Sequence, residues 1–174
     1  MKKLSIALLS VVALSACASF TSSGPIAVAN MAPTQGNKAQ GTVSFVKKGD
    51  QLLVDARLTG LPPGAHGFHI HETGDCSAPD ASSAGGHFNP TGKAHGSPMQ
   101  AERHGGDLGN ITADANGKAE LQMTIPLSEI NVSKMGASSI VGKGLIVHAD
   151  PDDYRTQPTG NSGKRLACGV IKLT

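Results

Sequence analysis

All seven histidines of this 174-residue chain lie between His66 and His148, most of them in loop-rich, glycine-rich sequence. Three blocks carry six of the seven: HGFHIH (His66, His69, His71), GGHFNPTGKAHG (His87, His95) and ERHGGDLG (His104, with Asp107). The last, His148, stands in a downstream HAD. Imidazole is the commonest protein ligand for metals near neutral pH. Gathering it beside an aspartate therefore constrains the chain to a fold that draws distant segments onto a metal. One metal takes three or four protein ligands, so six histidines plus Asp107 point to two metals side by side.

The pattern around these blocks is that of strands. Leu52, Val54, Ala56 and Leu58 alternate with Leu53, Asp55, Arg57 and Thr59. Ala119, Leu121, Met123 and Ile125 alternate with Glu120, Gln122 and Thr124. This period of two marks strands with one buried face. Shorter strands are predicted over 26–32, 41–46, 66–71, 108–113, 144–149 and 166–173. Turn signals such as Lys48-Gly49-Asp50, Pro62-Pro63-Gly64 and Asn116-Gly117 separate several of them. Eight short strands with 22 glycines predict an all-β sandwich or barrel, and Pro126–Met135 a turn or short helix. Two stretches break the rhythm, 35 residues from Glu72 to Gly106 and 16 from Asp150 to Arg165. Loops of that length inside one domain are usually functional. The first holds three histidines and is expected to be ordered by metal rather than by apolar contacts.

The N-terminus reads as a processing signal. Lys2 and Lys3 precede an apolar run from Leu4 to Ala16 that is too short to span a bilayer. Leu14-Ser15-Ala16-Cys17 resembles the box at which lipoprotein signals are cut before a lipid-modified cysteine. An ordinary secretory signal with an incidental Cys17 is the alternative. The expected organisation is a signal over 1–16, an anchor and tether over 17–25, and one domain over 26–174. Removing Lys2 and Lys3 leaves 13 basic against 13 acidic residues, with no Trp and five aromatics in all. Such a chain lacks the basic stripe and stacking platforms of nucleic-acid binders. With Cys17 set aside, Cys76 and Cys168 are an even pair in an exported, oxidising compartment. Bridging them would close about 92 residues, worth at most roughly 4–5 kcal/mol in the chain-entropy model. Two free buried thiols are the alternative.

Each histidine block has its own geometry. On a strand, His69 and His71 share one face, while His66 shares the other with Phe68 and Ile70 and is expected to be a hydrogen-bonded core histidine. His148, after the apolar Leu145-Ile146-Val147, can complete a three-nitrogen set with His69 and His71. His87, His95, His104 and Asp107 offer three imidazoles and a carboxylate, a set suited to tetrahedral zinc.

Taken together, GFHIHETGDC, GGHFNPTGKAHG, ERHGGDLGN, VHADPDD and GNSGKRLACGV resemble the copper–zinc superoxide dismutases, from about Ile26 to Ile171. The resemblance implies an eight-stranded Greek-key β-barrel. It assigns copper to His69, His71, His87 and His148, and zinc to His87, His95, His104 and Asp107, with His87 bridging the two. It also implies a disulfide between Cys76 and Cys168, a catalytic Arg165 at the mouth of the copper channel, and Asp152 linking His69 to His95. The implied reaction is a copper redox cycle converting superoxide to dioxygen and hydrogen peroxide, with His87 carrying a proton. The loop 150–165 departs from the eukaryotic pattern in lacking paired glutamates and a nearby lysine, for which Arg155 or Lys164 would substitute. Periplasm or cell envelope, with a membrane-held lipid on Cys17, is the expected location. A homodimer is open to such a chain, although no segment marks its face. The rival expectations are a metal-buffering module without turnover, and metals that serve only as staples.

Overall fold

Alternation becomes architecture in the computed structural model, which describes residues 24–174. Eight strands form, β1 Ala27–Pro33, β2 Gln40–Lys48, β3 Gln51–Thr59, β4 Gly64–His71, β5 Asp107–Ala113, β6 Ala119–Pro126, β7 Gly144–His148 and β8 Arg165–Leu173. In β3 the predicted alternation holds, with Leu52, Val54, Ala56 and Leu58 buried and Arg57 and Thr59 exposed. The strands close into a barrel in the order β1-β2-β3-β6-β5-β4-β7-β8, every pair antiparallel. Because β3 pairs with β6 while β4 lies between β5 and β7, the connections cross the barrel ends as a Greek key. Pairing of β1 with β8, from Ala27↔Leu173 to Pro33↔Ala167, closes the ring and leaves no open sheet edge among the described strands. The interior is filled by Phe45, Leu52, Phe68, Ile111, Leu145 and Ile171 with their neighbours.

All eight strands fall where the sequence predicts them, with ends shifted by at most two residues. Arg165, expected to end a loop, instead opens β8. No helix forms over 126–135. Glu129 donates to the Pro126 carbonyl at 2.9 Å in a single turn, then Ile130 enters the core and Asn131 bridges Ser139. Burial of Ile130 pulls the chain off a helical path.

The loop 72–106 is not ordered by metal ligands alone, contrary to expectation. Phe88 is buried in the main core, and Ala81 and Ala84 pack with Ile146 and Cys168 in a satellite cluster. Backbone bonds of 2.9 Å from Glu72 N–H to Gly86 O and 2.8 Å from Phe88 N–H to Ile70 O lay residues 86–88 beside β4. A disulfide joins Cys76 in this loop to Cys168 on β8. Bonds of this kind form and persist in oxidising compartments. These apolar contacts carry no period along the sequence, which is why the loop reads there as having no core of its own.

Candidate metal centre

Irregularities in two strand pairs aim the first group of histidines. The β4–β5 register slips between Gly67 and His69, so that His69 faces Asp107. The β7–β8 register slips between Val147 and His148, which sets His148 opposite Arg165. Bulges of this type re-aim side chains at barrel rims. His71 meets His87 across an isolated bridge. The ligand atoms of His69, His71, His87 and His148 all lie within 4.8 Å of one another, and all four residues are buried.

Hydrogen bonds decide which ring nitrogens remain available. His69 Nε2–H donates to Asp152 Oδ2 at 2.8 Å, leaving Nδ1 buried without a partner among the described residues. His71 Nδ1–H donates to Gly85 O at 2.9 Å, and His148 Nδ1 faces Gly163 O at 3.3 Å. The Nε2 atoms of His71 and His148 then point at each other across 3.3 Å. Converging lone pairs of this kind fit a shared cation.

The second group is His87, His95, His104 and Asp107, again within 4.8 Å and buried. Asp107 opens β5 and turns Oδ1 toward three imidazoles, 2.8 Å from His87 Nδ1, 3.1 Å from His95 Nδ1 and 3.2 Å from His104 Nδ1. Its Oδ2 accepts the His104 and Gly96 backbone N–H groups at 2.8 and 3.1 Å. Among the described residues, His87 Nε2, His95 Nδ1 and His104 Nδ1 are buried without hydrogen-bond partners. His87 therefore presents one nitrogen to each group. Asp152 spans the two groups, since its Oδ1 accepts from His95 Nε2–H at 2.9 Å while Oδ2 holds His69. The donor chemistry fits two soft-to-borderline divalent ions, one in an all-imidazole set and one in a set with a carboxylate.

Burial pushes His69 down to about 4 and His148 to about 3, and holds His71 well below its usual range. Asp107 and Asp152 also stay below the usual carboxylate range. Burial opposes this, but the imidazole partners and backbone N–H donors outweigh it. His95 is the exception. Burial lowers it, yet the carboxylates of Asp107 and Asp152 raise it to about 9. In the metal-free fold its proton is a stabilising contribution, fully present below the unfolded value near 6.5 and lost as pH rises through about 9. A cation on Nδ1 must expel that proton. Zinc affinity is therefore expected to fall roughly tenfold per pH unit below 9, about a hundredfold from pH 8 to 6. Zinc titrations in buffers of differing ionisation heat should count about one proton released at pH 7. A zinc affinity flat from pH 8 to 6 would show that His95 holds no such proton.

Arg165 lies beside the first group. Its Nη1 and Nη2 donate at 2.6 Å each to Ala81 O and Gly85 O, so the guanidinium is fixed by two carbonyls. Gly85, at φ 73°, turns that carbonyl inward, and a side chain there would also meet the Glu72 carboxylate. Burial lowers the arginine's pKa without discharging it. Arg165 lines an open groove of about 700 Å³ together with Lys164, Asp80, Ser82 and Thr34; Arg155 does not. His66 is in neither group. Its buried ring sits between the His148 carbonyl at 2.9 Å and the Pro62 carbonyl at 2.7 Å.

Some supporting residues escape sequence reasoning. Arg103 donates to the His104 carbonyl at 2.9 Å and pairs with Glu129. Asn110 and Gln157 bond to backbone atoms of Asp152 and His95. A side-chain amide bound to a distant peptide leaves no periodic trace in a sequence.

A closed antiparallel barrel with two adjoining buried ligand groups that share one histidine defines a two-metal protein. The chain belongs to the copper/zinc superoxide dismutase (SODC) family, which matches residues 39–171. It is also similar to a solved structure, the clock protein EA4, at 37% identity and a TM-score of 0.77, over 89% of this chain and 98% of that one.

Proposed function

We propose that this chain dismutates superoxide to dioxygen and hydrogen peroxide in the cell envelope, using one copper and one zinc. The observation that carries the reading is His87, with one ring nitrogen turned to each ligand group, beside an arginine fixed at a groove. Copper would be held by His69 Nδ1 and by Nε2 of His71, His87 and His148. Zinc would be held by Nδ1 of His87, His95 and His104 with Asp107. Copper supplies a one-electron redox change when bound, and zinc supplies none.

The remaining work falls to the chain. Arg165 offers a fork of N–H donors to a small monoanion and, with Lys164, a local positive field that focuses it inward. When its Nε2 is not serving as a ligand, His87 can hold a proton there and pass it to reduced dioxygen. Asp152 orients His69 and His95, the two rings it bonds, as carboxylates behind ligating histidines do. Cys17 lies outside the described residues, and lipid attachment there would tether the domain to a membrane.

Protein loaded with both metals is expected to consume superoxide and release one hydrogen peroxide for every two radicals. A second reading, a metal-binding module without turnover, is kept because the similar structure is named a clock protein and because fold alone does not fix activity. No turnover at full occupancy of both metals would select it. Cys17→Ser should leave turnover intact and abolish partition into membranes.

A further inference from the structure

The connection between β7 and β8 reaches back to grip one ligand twice. Gln157 lays its side-chain amide against the peptide of His95. Oε1 accepts the His95 N–H at 2.8 Å, and Nε2 donates to the His95 carbonyl at 2.9 Å. This reproduces with a side chain the exchanged pair of bonds found in one rung of an antiparallel ladder. Five residues earlier in the same loop, Asp152 holds the His95 ring through Nε2. Asp152 is itself pinned from β5, where Asn110 Oδ1 accepts its N–H at 2.7 Å and Nδ2 donates to its carbonyl at 3.0 Å. The loop can fold back this tightly because Gly160 adopts φ +64°, where a side chain would run into the Asp152 carboxylate and His95 Nε2. Beyond Gly160 the loop runs directly into Lys164 and Arg165.

We propose that Gln157 is a positioning residue for the metal centre. By fixing the His95 backbone it makes occupancy of the His87–His95–His104–Asp107 group and order of the loop 149–164 rise and fall together. Among the described residues its side-chain hydrogen bonds run only to His95 and, at 3.3 Å, to the Arg155 carbonyl, so no barrel strand depends on them. A ligand restrained at its ring alone can swing about its Cα. One restrained at ring and peptide together presents Nδ1 in a single direction, and a zinc ion bound there tightens both grips. The inference rests on the assignment of zinc to this group.

The test compares metal-free wild type with Gln157→Met, which keeps the length of the side chain and removes both polar atoms. Zinc affinity is measured against a chromophoric chelator. Amide exchange over 149–165 and at His95 is followed with and without zinc, and thermal unfolding is recorded without metal. The part of these two bonds that strengthens when zinc binds should be lost, weakening zinc by up to about 150-fold, the full worth of two net hydrogen bonds. The His95 amide should exchange faster, and the loop should no longer slow its exchange when zinc is added. The unfolding temperature should fall less for the metal-free protein than for the zinc-loaded one. Wild-type zinc affinity with intact zinc-induced protection in the variant would overturn the inference and leave the proposed function standing. A fall in metal-free melting temperature with unchanged zinc affinity would also overturn it, making Gln157 a brace of the fold. Failure of the wild type itself to bind zinc would remove the assignment beneath it.

Discussion

His148→Ala is expected to empty the all-imidazole group of copper and end superoxide turnover, while zinc binding and the fold survive. His148 closes a set whose other members come from β4 and the loop beside it, and its Nε2 lies 3.3 Å from that of His71. Without it the set keeps three nitrogens and opens a gap next to Arg165. Copper affinity should fall by more than about a hundredfold, the upper range for losing a group that merely orients a ligand. The residue ends its strand, so the core of β7 stays packed. Asp107→Ala should do the reverse. It removes the one carboxylate of the second group and leaves the buried His104 and Gly96 N–H groups unsatisfied, at roughly 1–3 kcal/mol each. Zinc should be lost, the 72–106 loop should exchange faster, and activity should fall only in part. Metal analysis of the two variants decides the matter; loss of the same ion from both would refute the division of ligands.

Arg165→Glu should slow turnover by roughly one to two powers of ten with metal occupancy unchanged. The charge reversal changes the energy of an approaching monoanion by about 1–3 kcal/mol after partial screening. The structure adds a second reason. A glutamate would set its oxygens against the Ala81 and Gly85 carbonyls and swing away, so the docking point is lost as well as inverted. Arg165→Lys keeps the charge without the fork and should lose less. The wild-type rate should fall as salt rises, and the Glu variant should lose that dependence. Turnover by Arg165→Glu at the wild-type rate across ionic strengths would leave the arginine no guiding role.

The strands were legible because burial on one face writes a period of two into the sequence, as in Leu52 to Leu58. The seven ligand candidates were legible as residue types in blocks, and the structure gathers the same seven into two groups. The register slips that aim His69 and His148 were not legible, because a bulge changes pairing without changing composition. The core role of Phe88 was hidden in a loop without alternation, and the path after Pro126 was settled by a single buried residue, Ile130. Asn110 and Gln157 act through bonds to peptides far along the chain, which only the closed barrel brings within reach.

The Gly85 carbonyl serves two donors, His71 Nδ1–H and Arg165 Nη2–H. One oxygen thus selects the tautomer of a ring in the all-imidazole group and holds the guanidinium beside it. The ring and the guanidinium are therefore tied to one shared anchor, so a displacement of either is felt by the other. Charges elsewhere around the groove, such as Lys164 and Asp80, can change without disturbing that spacing, because neither bonds to Gly85 O.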